Sequence, residues 1–268
     1  MGSFDRDTAV RRTDSGFLAT LSPDWEIWGP NGGYLCAIAL RAAGAAAPSG
    51  HRPSTYSCQY LNTGRSGEAQ IDCEQVRESR AAGCFNVRLR QGDKVLVQAQ
   101  VWTNARDEGP ACRRLERPEV PLPEALDLLE DRDANAVGGR FRNNFDRKAT
   151  SGAPPGVMRH WFRYRDYAPA NDPFLDAARA LLLIDTMVLP AHARGLGRPI
   201  DYQATTISLS ASFHDSAFES DWLLADARSD LAARGAIHGE VAVWGVDGAL
   251  LATGANTLLQ VPPRPTAS

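Results

Sequence analysis

The chain has 268 residues, of which 43% are hydrophobic and 23% charged, and its formal net charge is −3. This composition is typical of a globular protein with one large domain or two of ordinary size, and the near-neutral charge gives no reason to expect nucleic acid as a partner. The N-terminal segment is polar, and no apolar run approaches the ~20 residues that span a bilayer. We therefore expect a cytoplasmic protein without a membrane span.

The first long helix is predicted in "PNGGYLCAIALRAAGAAAPSG". Asn31 is a favourable N-cap, Gly32 and Gly33 open the helix, and Pro48 with the following Ser-Gly ends it. The helix is apolar on most sides, which is typical of a helix that is buried all round.

Alternating, β-rich sequence follows from Arg52 and includes a hairpin turned by Gly92-Asp93. The next stretch, "NARDEGPACRRLERPEVPLPEALDLLEDRD", is charged and rich in proline. It is typical of a linker, and it carries one predicted short helix near residues 123–130.

The second half of the chain is predicted to open with strands at 139–148 and 157–166 and to continue into a second long helix, "NDPFLDAARALLLIDTMVLPAHARG". Asp172 is the expected cap, Pro173 is a natural first helical residue, and Pro190 is a stop signal. Each long helix is predicted to run about 16 residues, or ~24 Å.

The segments that begin at Arg52 and Arg198 show the same order of events. Each starts with Arg-Pro and passes through two strands and an Ala-Ala-containing turn into a closing hairpin, which the second copy turns at Asp247-Gly248. A shared order of this kind indicates a duplicated fold. Each half is then an antiparallel sheet with a long helix against it, which predicts an α+β protein.

Three stretches carry a resemblance to a known family: "WGPNGGYLCAIALRAA", "TTISLSASFH" and "GEVAVWGVDGALLATGANTLL". In order and spacing they resemble the acyl-CoA thioesterase II family over residues 17–261. The resemblance implies a tandem, or double, hotdog fold, in which each half is an antiparallel sheet wrapped around a central helix. We place an N-terminal hotdog at 1–110, a linker with a short helix at 111–135, and a C-terminal hotdog at 136–268.

The resemblance implies hydrolysis of an acyl-CoA to free acid and CoA by a water molecule that three side chains hold. The family Asp matches Asp185, its Thr or Ser matches Thr206, and its Gln falls on Asn256, which is one methylene shorter. A second departure lies on the strand after the first helix. There the family often has His, and this chain has Ser54 and Ser57.

Asp185 is a candidate functional residue even without the resemblance, because it is a carboxylate in the longest apolar run, "ARALLLIDTMVLPAH". Apolar neighbours on its helix face predict a dry environment, and desolvation raises a carboxyl pKa towards the range useful for a base. The alternative is a structural Asp that caps a turn or pairs with Arg179. Thr206 is of a type common in strands, and Asn256 is also consistent with an edge or turn position.

Gly32, Gly33 and Tyr34 open the first helix, where unpaired backbone N–H groups carry the positive end of the helix dipole. They are candidate donors to the thioester oxyanion, although a plain helix start is the alternative. The first helix has no acid in its apolar middle. We therefore expect one active site per chain.

The five cysteines form no CxxC pair, and the five histidines are not spaced as metal ligands. We expect no metal and no cofactor. By resemblance we expect an acyl-CoA substrate, a role in lipid or related acyl-thioester metabolism, and a homodimer. The alternatives are a hotdog protein that binds an acyl thioester without turnover, and a hotdog dehydratase. The separation of Asp185 from His192 disfavours the dehydratase.

Overall fold

The computed structural model describes residues 1–106, 109–110, 112–168, 170–218 and 220–261. Its helices are α1 (Phe4–Asp7), α2 (Gly32–Ala46), α3 (Gly139–Arg142) and α4 (Pro173–Leu196). Its strands are β1 (Arg11–Thr13), β2 (Gly16–Leu21), β3 (Arg52–Tyr60), β4 (Gly67–Glu78), β5 (Ala82–Gln91), β6 (Lys94–Asn104), β7 (Phe145–Ala149), β8 (Val157–Tyr164), β9 (Gln203–Phe213), β10 (Trp222–Ala233), β11 (Ala236–Gly245) and β12 (Leu250–Val261).

The strands form one twelve-stranded antiparallel sheet in the order β1-β2-β4-β5-β6-β3-β9-β12-β11-β10-β8-β7. Read outwards from the central pair, the order in the first half matches the order in the second half strand for strand. The halves join where β3 pairs with β9, from Thr55 opposite Ser212 to Gln59 opposite Ser208. The internal repeat is therefore confirmed, and so is the tandem hotdog fold that it predicts.

The predicted helix caps are confirmed. The Asn31 side chain accepts a hydrogen bond from the Tyr34 N–H of α2, and the Asp172 side chain accepts from the Phe174 and Leu175 N–H groups of α4. Helix α2 has 15 residues, close to the predicted length. None of the described helices combines the length and the apolar character needed to cross a bilayer.

Helix α4 does not stop at Pro190, so the prediction of its end was wrong. It runs for 24 residues to Leu196, and Gly197 follows as the C-cap in a left-handed backbone conformation with φ 62°. An internal proline removes one backbone hydrogen bond. Here the continuation past Pro190 buries Ala191 and His192, and the His192 ring is hydrogen-bonded to the Tyr202 hydroxyl at 2.6 Å. Tertiary packing thus outweighs the local stop signal.

The start of the second half also differs from prediction. Residues 139–142 form the short helix α3 instead of a strand, and the strands of this region are β7 and β8. The helix is favoured because its Phe141 is buried against Trp25 in an edge-to-face contact. In the linker, the predicted helix near 123–130 is only a 3-10 turn at Pro123–Ala125.

The linker lies against the outer surface of the second half of the sheet. The Trp161 indole donates a hydrogen bond to the Pro121 carbonyl at 3.0 Å, and the Lys148 ammonium donates to the Pro123 carbonyl at 2.7 Å. Trp161 packs with Leu224 and Trp244 in a small buried cluster beneath the linker. The linker therefore covers apolar side chains that a solvent-facing sheet surface would expose.

Candidate active site

Asp185 lies in the middle of α4 and is only 6% exposed. Its carboxylate points at the first turn of α2. The Gly33 N–H donates to Oδ2 at 2.8 Å, and the Tyr60 hydroxyl donates to Oδ1 at 3.1 Å. Arg179, the cation considered as a partner from the sequence, instead forms a buried ion pair with Asp176. The Asp185 carboxylate is therefore held by hydrogen-bond donors at the positive end of a helix dipole.

The two glycines at the start of α2 make this approach possible. A Cβ atom at Gly32 would lie 2.9 Å from Asp185 Oδ2 and 2.9 Å from the Tyr60 ring. A Cβ atom at Gly33 would lie 2.7 Å from the Leu182 Cα of α4. All three distances are too short for a real side chain. The glycine pair therefore sets how closely the first turn of α2 approaches the acid.

Burial raises the pKa of the Asp185 carboxyl group above its ordinary value. Hydrogen bonds from the Gly33 N–H and from the side chains of Thr206, Tyr60 and Asn31 act in the opposite direction, because they favour the charged form. Since desolvation is the larger effect, the carboxylate is more basic than that of an exposed aspartate. This is the direction that a general base needs.

A cavity of about 210 Å³ adjoins the carboxylate. Asp185, Thr206 and Gly32 supply polar groups to its wall, and Leu35 of α2 is among its apolar lining residues. Trp28, which is 48% exposed, also lines it. The other lining residues are Ile27, Gly29, Pro30, Asn31, Asn62, Thr63, Gly64, Thr186, Leu189, Gln203, Ala204, Thr205 and Leu258. A small, mostly apolar cavity with a few convergent polar groups is typical of a ligand site.

A β-bulge brings Thr206 into this cavity. The register between β9 and β12 shifts so that Thr257 lies opposite Ser208 while Leu258 lies opposite Thr206. Leu209 and Ala211, further along β9, are buried, and strict alternation from them would turn position 206 outwards. The extra residue reverses the alternation, as bulges near functional sites often do. Thr206 therefore lies beside Asp185.

Asn256 does not line the cavity. The side chain is 3% exposed, and its Nδ2 donates to the Ile184 carbonyl at 2.8 Å and to the Asp185 backbone carbonyl at 3.3 Å. Its Oδ1 has no hydrogen-bond partner among the residues that the structure describes. The structure thus brings Asn256 to the backbone of the turn that carries the acid, and not to the carboxylate itself.

The three residues at the start of α2 are placed differently. The Gly33 N–H is bound to Asp185, and the Tyr34 N–H is bound to the Asn31 side chain. The Tyr34 side chain is fully buried and stacks on Trp25, away from the cavity. Gly32 lines the cavity, and its N–H, at the first position of α2, has no acceptor within the helix. Gly32 is therefore the available backbone donor.

Sequence reasoning missed Tyr60. The alternation in "TYSCQY" places positions 56, 58 and 60 on one face of β3, and that face is the inner one. This alternation in the sequence indicates that the Tyr60 side chain faces inwards. Nothing in the local sequence, however, shows that β3 ends at the N-terminus of α2, where the Tyr60 hydroxyl meets the carboxylate 125 residues later in the chain.

The related position in the first half holds no acid. Asp185 lies twelve positions after the first residue of α4. The residue twelve positions after the first residue of α2 is Gly44. A Cβ atom at Gly44 would lie 2.4 Å from the ring of Phe174, whose place in α4 corresponds to that of Gly33 in α2. At the candidate site, Gly33 of α2 thus faces Asp185 of α4. At the related position of the first half, Gly44 of α2 faces the ring of Phe174 of α4. The ring occupies the space where a second carboxylate would lie.

Among the described residues, no group of three or more His, Cys, Asp or Glu side chains is arranged to hold a metal ion. The polar groups that face the cavity are hydroxyls, amides, backbone N–H groups and one carboxylate. They can orient water and a carbonyl oxygen by hydrogen bonding.

Similar proteins were identified by family and by structure. The family model described as the acyl-CoA thioesterase N-terminal domain matches residues 21–104, and the model described as the acyl-CoA thioesterase C-terminal domain matches residues 116–259. A comparison with curated protein sequences finds no significant match.

Several solved structures share the fold. A hot dog fold protein of unknown function from Alicyclobacillus acidocaldarius has a TM-score of 0.84 at 21% identity, over 98% of this chain and 99% of that one. The tesB protein of Mycobacterium avium subspecies paratuberculosis has a TM-score of 0.80 at 22% identity, with coverages of 96% and 97%. An acyl-CoA thioesterase II of Mycobacterium marinum has a TM-score of 0.81 at 17% identity, with coverages of 98% and 99%. Since the two family models together span most of the sequence, one on each half of the sheet, the chain belongs to the acyl-CoA thioesterase family.

Proposed function

We propose that the protein hydrolyses an acyl-CoA thioester to the free acid and CoA, with Asp185 as the general base. The observation that carries this proposal is the buried carboxylate of Asp185, which forms no ion pair with any described residue and which borders the cavity beside Thr206. A buried acid without an ion pair destabilises a fold. Its position at the wall of a small cavity supports a chemical role.

The proposed reaction proceeds by attack of one water molecule. Asp185 accepts a proton from the water while the water oxygen forms a bond to the thioester carbonyl carbon. Thr206 holds the water, and the Gly32 N–H stabilises the negative charge that develops on the carbonyl oxygen. Collapse of this intermediate breaks the bond between carbon and sulfur, and the CoA thiolate leaves and takes up the proton that Asp185 accepted, which restores the carboxylate. The carboxylic acid is the other product.

Asn256 has an indirect part in this proposal. Its side-chain amide donates to the backbone carbonyls of Ile184 and Asp185. It therefore sets the position of the helical turn from which the carboxylate extends. The resemblance implied that the Asn256 amide contacts the water. We propose instead that this amide acts through the backbone of α4.

The test is release of free thiol from a panel of acyl-CoAs of different chain length, with wild type and Asp185→Asn compared. Asn keeps the shape of the side chain but is no base, so we expect kcat to fall by about 10²–10⁴-fold. Asp201→Asn is the matched control, because the Asp201 side chain is 73% exposed. Equal turnover by wild type and Asp185→Asn on every substrate would refute the role of Asp185.

A second candidate function is binding of an acyl thioester without turnover. It is favoured by the position of Asn256, whose amide is directed at the helix backbone instead of the cavity. Calorimetric titration with acyl-CoA distinguishes the two functions. Saturable binding together with no thiol release by the wild-type protein would support the binding function and exclude hydrolysis.

Several expectations from the sequence stay predictions. These are the homodimer, the cytoplasmic location, the role in lipid metabolism, and the domain limits 1–110, 111–135 and 136–268. Residue 111, the first of the proposed linker, lies outside the described residues.

A further inference from the structure

A chain of three polar side chains leads from the core of the first half to the acid of the second. The Cys36 Sγ atom of α2 lies 2.9 Å from the Tyr60 hydroxyl, and this hydroxyl lies 3.1 Å from Asp185 Oδ1. Cys36 is fully buried, and Cys58 of β3 lies 3.5 Å from it. The link joins two residues of one half to a residue of the other.

The direction of the hydrogen bonds follows from the number of protons available. An ionised carboxylate can only accept, so the single hydroxyl proton of Tyr60 is donated to Asp185. The Tyr60 oxygen is then free to accept, and the Cys36 thiol is the donor. Burial raises the pKa of both Cys36 and Tyr60 well above their ordinary values, so both groups keep their protons at neutral pH.

Together with Gly33, Tyr60 restrains both oxygens of the carboxylate. The Gly33 N–H holds Oδ2 and the Tyr60 hydroxyl holds Oδ1, which fixes the rotation of the group about its bond to Cβ. With these two hydrogen bonds in place, the other lone pairs of the Asp185 carboxylate oxygens are directed at Thr206 and the cavity. A base needs this orientation, because proton transfer depends on geometry as well as on pKa.

We propose that Tyr60 is a positioning residue, which holds the Asp185 carboxylate in the orientation that faces the cavity, and that the Cys36 thiol in turn orients Tyr60. The effect of Tyr60 on catalysis rests on the proposed hydrolytic function. Its hydrogen bond to Asp185 can be tested without turnover. Among the described residues of β3, Tyr60 is the one that donates a hydrogen bond to the carboxylate.

The first experiment measures the titration of Asp185 by carbon NMR of protein labelled at the aspartate carboxyl carbon. The resonance is assigned by its loss in Asp185→Asn. Tyr60→Phe removes one oxygen atom and with it a donor to the charged form, so we expect the titration of Asp185 to move to higher pH. The matched control is Tyr167→Phe. Tyr167 is half-buried next to Tyr164, and its hydroxyl makes no hydrogen bond with any described residue.

The second experiment measures thiol release. In Tyr60→Phe we expect kcat to fall about tenfold with KM little changed, and the acidic limb of the pH profile to move in the same direction as the NMR titration. Tyr167→Phe should match wild type in both measurements. An unchanged titration of Asp185 in Tyr60→Phe would overturn the proposal, whether or not the wild-type protein hydrolyses any acyl-CoA.

Cys36 provides a variant that leaves Tyr60 in place. Cys36→Ser keeps a donor and should retain the wild-type titration of Asp185, whereas Cys36→Ala removes the donor and should shift it in the same direction as Tyr60→Phe, by less. Identical behaviour of the two Cys36 variants would overturn the part of the proposal that concerns the thiol. Failure of the wild-type protein to release thiol from any acyl-CoA would instead refute the proposed function, while the NMR titration still decides the role of Tyr60.

Discussion

Two buried carboxylates on α4 differ in how their charge is stabilised. Asp176 is paired with the fully buried Arg179 and also accepts a hydrogen bond from the Ala217 N–H at 2.8 Å. Arg179 donates further to the Ala217 and Ser220 carbonyls, so this pair fastens the loop after β9 to the helix. The donors to Asp185 among the residues that the structure describes are neutral, and its carboxylate adjoins a cavity. The first carboxylate is satisfied as part of the fold, and the second keeps acceptor capacity for a ligand.

The raised pKa of Asp185 predicts a pH dependence of activity. The proposed base must be ionised, so kcat/KM should fall as the pH drops through the pKa of Asp185, and this limb should lie above the ordinary aspartate value of about 3.9. The measurement is a pH profile of thiol release under kcat/KM conditions. A limb at or below the ordinary value would contradict the assignment of Asp185 as the base.

The same shift predicts a pH dependence of stability. Because the folded state raises the pKa of Asp185, the folded protein binds this proton more tightly than the unfolded chain does. The resulting stabilisation is fully present below the unfolded pKa and is lost as the pH rises through the folded pKa. The free energy of unfolding of wild type, relative to Asp185→Asn, should therefore decrease as pH rises over that range. Urea unfolding at a series of pH values measures it, and a difference that does not vary with pH would contradict the prediction.

At the scale of elements, the site depends on the contact between the first turn of α2 and the middle of α4. Gly33 allows this contact, because its missing Cβ leaves room for the Leu182 Cα. Asn256 of β12 holds the turn of α4 that contains Asp185, and the bulge in β9 turns Thr206 inwards. Three separate elements thus place one carboxylate and one hydroxyl.

Asn256→Ala tests the anchoring of α4. The substitution removes two donated hydrogen bonds and leaves the carbonyls of Ile184 and Asp185 without this partner inside the core. We expect the free energy of unfolding to fall by about 1–3 kcal/mol. Chemical denaturation measures the change, with Asn135→Ala as a control at an exposed position. A loss as small in Asn256→Ala as in the control would show that the anchor contributes nothing.

At the scale of the whole molecule, the two halves form one structural unit. They share a continuous sheet through the pairing of β3 with β9 and a helix contact between α2 and α4. The N-terminal segment adds a third connection. The Phe4 ring lies 5.5 Å from that of Trp25 in the first half and 4.6 Å from that of Tyr164 in the second. The Phe4 N–H also donates to the Asp166 carbonyl at 3.2 Å.

Phe4→Ala tests whether this segment joins the halves. Phe4 is fully buried between aromatic rings of both halves, so its truncation should lower the free energy of unfolding by about 3 kcal/mol. If the halves unfold together, calorimetry should show one transition at a lower temperature. Two separate transitions in the variant, or no change in the midpoint, would contradict this account.

Much of the fold was predictable because its signals are local. The caps Asn31 and Asp172, the hairpin at Gly92-Asp93 and the internal repeat follow from turn chemistry and from hydrophobic periodicity, and each is confirmed. The end of α4 was not predictable in this way. Pro190 is a local stop signal, but the burial of residues after it outweighs the loss of one hydrogen bond.

In the candidate site, too, some features follow from the local sequence and others depend on contacts between distant residues. The residue pattern alone was enough to predict that an acid lies in a buried helix, that two glycines open the partner helix, and that the two halves repeat, because each of these follows from residue types and their order along the chain. The contacts of the acid became known only from the folded structure. It brought Gly33 and Tyr60 to the carboxylate, turned Thr206 inwards through a bulge, and directed Asn256 to the backbone. These contacts depend on the register of strands and on the approach of helices, which join residues far apart in the chain and leave no local pattern.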